Sequence, residues 1–385
     1  VLGKSLSDGN IISLAYVVTN IFDGNGASSF TLSGSIGGYT DVDITVNDSA
    51  NGAADSQTMQ SVKHNAPLHY SAQDRAVTTK DYEALTKTIY PNAKSVRAYG
   101  GEDAEQPLYG TVYVAIHPES GSTLTTTTKN NIVSQLKKYN VGSVTPTIVT
   151  PEVTSILLTT NAKFNKESTT LSASEVKTLI SDMIILYSAD ELQKFDSIFR
   201  YSKVLETIND SHDSILSNIT TIKIRKEFTP TTGSATTYNV YFRNALYNPH
   251  SEHNKSAGGI LSSTGFKITG NDSEMFLDDD GAGNVRLYYL DGTTRTYSNN
   301  TQGTINYSTG QVTLTSINIA SISDIRGSTS TTIELTTTPN SNDIVPVRDQ
   351  VLSIDVANST ITVEEDTFAG GTSDGGTTYT TTSSY

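Results

Sequence analysis

The chain has neither cysteine nor tryptophan. Without thiols it has no disulfides, no thiol nucleophile and no zinc-thiolate site, and it needs no oxidising compartment. It is short of cations, with 26 Lys and Arg against 40 Asp and Glu and a net charge of −14. Nucleic-acid binding draws on cation-rich surfaces that displace counterions, so no nucleic-acid partner is expected. No segment approaches the roughly 18–20 consecutive apolar residues of a membrane span, and no basic-then-apolar export segment opens the chain, so no membrane association is expected either. Apolar residues make up 35%, below the usual range of about 45–50%. Thr, Ser, Asn and 20 Tyr fill the gap, which points to solvated β structure.

At 385 residues the chain divides into roughly two or three domains. It begins at Val1 and not Met, which reads as the loss of an upstream part. Residues 1–60 read as a partial β region: Ile11, Ile12, Leu14, Tyr16 and Val18 partly alternate, and Asp23-Gly24-Asn25-Gly26 makes a turn. That Gly-Asn-Gly is no phosphate cradle, because no helix pattern and no Lys-Ser/Thr follow it. Asp41, Asp43 and Asp48 read as solvated acids.

Residues 66–103 are the densest stretch. They read as a loop, then a helix capped by Thr78 or Thr79, with Asp81 and Glu83 in its first turn and Tyr82, Leu85 and Ile89 on one face. Pro91 ends that helix, and a strand follows, closed by Gly100-Gly101. Val112, Val114 and Ile116 predict the next strand, and Ile132, Val133, Leu136 and Tyr139 a helix with Lys137 and Lys138 at its end. Pro146 and Pro151 confine the Ile148-Val149 strand to an edge or crossing. Ile156 to Phe164 is a further strand. Ser172 with Glu175 opens a long helix, Ser188 with Glu191 repeats the capping pattern before a second helix, and Ile222 and Ile224 mark an amphipathic strand. Residues 61–227 therefore read as an α/β core, a sandwich of helices on one face of a mixed sheet. From 228 to 369 short runs separated by Gly, Asn and Asp, including the hairpin turn Asp291-Gly292, predict a β-rich meander or small sandwich. Residues 370–385 read as a flexible Gly/Thr/Ser tail. The fold class is multidomain, mixed α+β and α/β.

No constellation of catalytic or metal-binding residues stands out. Asp278-Asp279-Asp280-Gly281 with Asn284 begins like a calcium loop, but Ala282 and Tyr289 occupy positions where ligands belong; an acidic hairpin turn is the preferred reading. His250-Ser251-Glu252-His253 lies in a Pro- and Gly-flanked loop and not on a helix. No Ser sits in a nucleophile elbow. No metal, cofactor or small-molecule substrate is predicted.

Asn51-Gly52-Ala53-Ala54-Asp55, Ala66-Pro67, Gln73-Asp74-Arg75-Ala76-Val77-Thr78, Asp81-Tyr82-Glu83, Tyr90-Pro91, Gly100-Gly101-Glu102-Asp103 and the 110–116 run Gly-Thr-Val-Tyr-Val-Ala-Ile occur in a fixed order. This order resembles the baseplate J-like family of contractile phage tails. The 303–310 run Gly-Thr-Ile-Asn-Tyr-Ser-Thr-Gly and the 345–350 run Val-Pro-Val-Arg-Asp-Gln are similar to the C-terminal portion of T-even-type baseplate wedge subunits. The resemblance implies a non-enzymatic virion protein of the tail baseplate, assembled in the host cytoplasm. It would form a dimer, bind other wedge proteins and join neighbouring wedges into the ring that surrounds the hub and changes shape on sheath contraction. Its structural residues would include Ala66, Pro67, Arg75, Asp81, Tyr82, Gly100 and Gly101, with Arg75 tied to Asp74 or Asp81 or to a neighbouring subunit. Tyr288 and Tyr289 are candidate interface residues. The alternatives are a receptor- or glycan-binding tail module built on 228–385 and, behind it, a glycan-cleaving tail enzyme.

Overall fold

The computed structural model describes residues 27–46, 59–253, 258–370 and 377–380, apart from 28, 105, 120 and 122. The alternation at 11–18, the turn at 23–26, Asp48, the motif at 51–55 and most of the 370–385 tail lie outside the described residues. The chain separates into two compact units, residues 1–149 and 150–385.

In the first unit, residues 29–46 carry a single antiparallel bridge, Ile36 with Tyr39. The stretch expected to be a loop before Thr78 is largely helical. α1 spans Met59–Ala72 and runs through Pro67, which gives up one ladder N–H but leaves Ala72 buried at the helix end. α2 spans Thr79–Ile89. Thr78 Oγ accepts from the Asp81 N–H, and the Asp81 carboxylate accepts from the Thr78 N–H at 2.8 Å, a reciprocal cap in the electropositive first turn.

β1 (Ala93–Gly100) pairs antiparallel with β2 (Thr111–Pro118); α3 (Thr126–Leu136) then leads to β3 (Thr145–Val149), which runs parallel to β2. The order β1-β2-β3 leaves β3 at an edge, where Pro146 costs no central ladder bond. Tyr82 and Leu85 of α2 and Ile132 and Leu136 of α3 pack with Val96, Val114, Ile116 and Ile148 of the sheet.

The second unit is built on β4 (Glu152–Phe164), followed by α4 (Ala173–Tyr187), α5 (Tyr201–Asn209) and β5 (Ile215–Phe228). α4 opens with the expected Ser172–Glu175 box. Ser188 does not start a new helix. α4 runs into a single π-helical turn, Ser188–Leu192, and the buried Ser188 hydroxyl accepts from the Ile354 N–H at 2.9 Å instead of capping a new helix.

The remaining strands are β6 (Ala235–Tyr241), β7 (Ser262–Ser263), β8 (Phe266–Ile268), β9 (Met275–Asp279), β10 (Asn284–Asp291), β11 (Thr294–Asn306), β12 (Gln311–Ile322), β13 (Ile333–Thr337), β14 (Gln350–Ile354), β15 (Thr360–Glu365), β16 (Thr367–Gly370) and β17 (Thr377–Thr380). β11-β10-β9-β8-β12 closes through β11–β12 pairing into a small barrel, with β6 added on β12. A second sheet runs β14-β4-β5-β13-β7, and β15 extends β14's parallel pairing along β4. The C-terminal strands 333–365 thus share a sheet with 152–228. Val176, Ile180, Ile184, Val204 and Ile208 of the two helices join Ile156, Leu158, Ile222 and Ile224 in one core, which continues into the barrel through Leu277, Val285, Val312 and Leu314.

Candidate interaction surface

The motif residues of the first unit serve its internal structure. Tyr82 is buried and donates to Asn140 Oδ1 at 3.1 Å, while Asn140 donates to the Val144 carbonyl, so α2 is tied to the turn after α3. Glu83 accepts from the Ala98 N–H and tethers α2 to β1. Asp81 is occupied by its cap, and Arg75 is exposed and donates to Gln73 Oε1 at 2.7 Å. Ala66 and Pro67 are exposed on α1. Gly101 is buried beside Leu108. Its carbonyl accepts from the Leu108 N–H at 2.9 Å, and a Cβ there would drive into the Leu108 carbonyl oxygen. At Gly100 the nearest atoms a Cβ would meet belong to the movable Glu102 carboxylate.

The second unit's motifs sit in networks of buried polar groups. Gln350 is fully buried, donates to Thr154 Oγ and to the Phe242 carbonyl, and accepts from the Val347 N–H, so the Val-Pro-Val-Arg-Asp-Gln run locks β14 against β4 and the end of β6. Beside it, Glu152 binds Arg243 through two bonds of 3.0 and 3.1 Å and Lys226 at 3.0 Å. Burial alone would raise the Glu152 pKa, but Arg243 and Lys226 outweigh it and hold the carboxyl below its ordinary value. Burial and the neighbouring Glu152 charge push Asp349 up. A second network joins Arg225 to Asp355 at 2.6 Å and to Glu334, which also takes a bidentate pair from Arg326. Sequence reading missed Arg225 and Lys226, because a regular amphipathic strand would send alternate residues outward, whereas 224–226 are buried in succession.

The acidic turn between Phe276 and Val285 is present, but two of its acids are in the interior. Asp278 binds Arg286 at 2.8 Å, Arg295 at 2.6 Å and the Tyr297 hydroxyl at 2.9 Å. Asp279 accepts from the N–H groups of Ile260, Leu261 and Gly281 and from the Tyr307 hydroxyl at 2.6 Å, which places the 303–310 motif in the same network. Asp280 caps the turn through Ala282 and Asn284. These acids are therefore occupied by protein donors. His253 Nδ1 lies 3.0 Å from His250 Nε2, and among the described residues no group of three potential ligands gathers around a metal position.

Neither candidate interface tyrosine, Tyr288 or Tyr289, lies open on the surface of the chain. Tyr288 is only 8% exposed, its ring packed against Phe276 and Tyr297 with the Arg295 guanidinium 4.7 Å from its centroid; Tyr289 is half-buried against the core. Alternation along β10 places Tyr289 with Val285 and Leu287 on the core face and Tyr288 on the opposite face, where Phe276, Tyr297 and Arg295 cover it. A Tyr288→Ser, Tyr289→Ser variant would damage the barrel before it tested association. Large apolar side chains that do face solvent include Leu290 on the same strand, Tyr70, Val77, Leu108 and Tyr109 in the first unit, and Ile185, Leu186 and Ile219 in the second.

Two family models match the chain. Residues 78–149 match "Baseplate structural protein gp6, C-terminal domain I", and residues 154–227 match "Baseplate structural protein gp6, C-terminal domain III". The baseplate wedge protein gp6 of Enterobacteria phage T4 is 27% identical over 235 residues, covering 58% of this chain and 35% of that protein. The chain therefore spans about a third of the length of this curated relative. A chain of the anti-feeding prophage baseplate, solved by cryo-electron microscopy, aligns with 45% of this chain and 39% of its own length at 14% identity and a TM-score of 0.34. The chain resembles the C-terminal portion of a T4-like baseplate wedge protein.

Proposed function

We propose that this chain is the C-terminal part of a structural protein in the baseplate of a contractile phage tail. It acts there as a wedge subunit that dimerises, contacts other wedge proteins and joins neighbouring wedges into the ring around the hub. The observation that carries this reading is that a segment of each structural unit, 78–149 and 154–227, matches a C-terminal domain of one baseplate protein, in chain order. The role of the motif residues supports it: Asp81, Tyr82, Gly101, Tyr307 and Gln350 serve caps, turns and buried networks, as a scaffold requires and a reaction centre does not. A ring component works through complementary surfaces with more than one stable arrangement.

Sedimentation equilibrium of the purified chain from micromolar to sub-millimolar concentration tests the dimer, with Arg75→Ala as the diagnostic variant. A concentration-dependent dimer, with Arg75→Ala unfolding at the parental temperature, is the expected result. A strict monomer across the range rejects dimerisation through this portion of the protein.

A further inference from the structure

α4 and α5 enclose a groove of about 590 Å³. Met183 and Tyr187, four residues apart on α4, turn apolar surface into it, and Ile198 from the connecting segment adds to its floor. Leu186, three residues from Met183 on α4, is 53% exposed and lies one helical step from that apolar wall. The groove's two cations are already paired: Arg200 with Asp343 at 2.7 Å and Lys203 with Glu206 at 3.7 Å. That leaves the exposed carboxylates of Glu191 and Asp210 as its unbalanced charges. Burial, and after it the Glu191 charge, raises the Tyr187 pKa.

An apolar floor with an acidic rim complements an apolar segment that bears a cation. A second copy of this chain is a poor source, because its own net charge is −14. We propose that the α4–α5 groove is a docking site for a short apolar segment carrying Lys or Arg, supplied by a different protein chain. The proposal stands on the groove's chemistry and does not depend on the baseplate reading.

The test is a fluorescence-anisotropy titration of the full chain with a labelled amphipathic Leu/Lys peptide and its Leu/Glu counterpart. The Leu/Lys peptide should bind saturably and more weakly as salt rises, and the Leu/Glu peptide should not bind. A Glu191→Lys, Asp210→Lys variant should bind about tenfold more weakly at an unchanged Tm, since both side chains are exposed. Leu186→Ser should also weaken binding. Asp291→Lys, Asp324→Lys, which changes net charge equally on another exposed surface, should bind like the parent. Equal binding of both peptides, unchanged affinity in the groove variant, or equal loss in the control pair would overturn the proposal. So would self-association that Leu186→Ser abolishes, because a second copy would then be the occupant.

Discussion

The two units hold themselves together by different means. In the first, no charged side chain is among the buried residues described, and cohesion comes from aliphatic and aromatic packing, helix caps and the part-buried tethers of Tyr82 to Asn140 and Glu83 to Ala98. In the second, Arg225, Lys226, Asp278, Asp279, Glu334, Asp349 and Gln350 are all buried. These groups join segments far apart in sequence: Gln350 bonds Thr154, and Arg225 bonds Asp355. Buried ion pairs add little net stability over apolar replacements, but a broken pair is costly. The difference teaches that the first unit needs only the right pattern, whereas the second uses polar matching to select one pairing among many Thr-rich strands.

The sharpest way to break this contrast is at Asp279. Replacing it with Ala removes the acceptor for three backbone N–H groups and the Tyr307 hydroxyl, which join the barrel to the segment leading into β7. With each orphaned buried donor costing about 1 kcal/mol or more, roughly 3–5 kcal/mol of the second unit's stability should be lost. Asp279→Asn should recover part of it. Denaturant unfolding followed by hydrogen exchange in peptides from each unit measures this. Loss of protection in the first unit would show that the two are not energetically separate.

A smaller effect is expected at Gly101, where the cost is steric. Gly101→Ala should destabilise the first unit by about 1–3 kcal/mol, because the methyl group meets the Leu108 backbone and not a movable side chain. Gly100→Ala, facing the Glu102 side chain, should cost clearly less. Equal unfolding midpoints for the two variants would refute that distinction.

The same contrast explains what could be read from sequence. α2, β1, β2 and α3 carry local signals, such as the Thr78–Asp81 box and the alternation of Val112, Val114 and Ile116, and the structure has them at those places. Ser188 carried an equally good local signal for a helix start, and a distant strand overrode it by using the hydroxyl at Ile354. Parallel pairing of β14 and β15 with β4, across some two hundred residues, leaves no trace in local periodicity. Nor does burial of Asp278 and Asp279, which depends on Arg286, Arg295 and Tyr307 folding over them. Within the α4–α5 groove, the start of α4 at Ser172 and Glu175 is legible, but which of its apolar residues face the core and which the groove depends on where α5 lies.

The smallest predicted effect separates the units by acid. Burial, reinforced by Lys94, holds the His117 imidazole on β2 below its ordinary pKa. The unfolded chain therefore takes up that proton at a higher pH than the folded one. The first unit's stability is full above about pH 6.5 and declines as pH falls below that value. In the second unit, burial would raise the carboxyl groups of Glu152 and Asp355, but their partners outweigh it and lower both. Their contribution is complete above the unfolded carboxylate pKa, about 4, and is lost only as pH falls through the lower folded values. Asp349 has the opposite sign, since its raised pKa makes protonation favour the folded state and delays the second unit's loss further. Hydrogen exchange at pH 7 and pH 5, corrected for intrinsic rates, should show protection falling in β1 and β2 while β4 and β5 keep theirs. His117→Gln should abolish that fall, and a variant that still loses protection in β1 and β2 would assign the first unit's acid sensitivity to other groups.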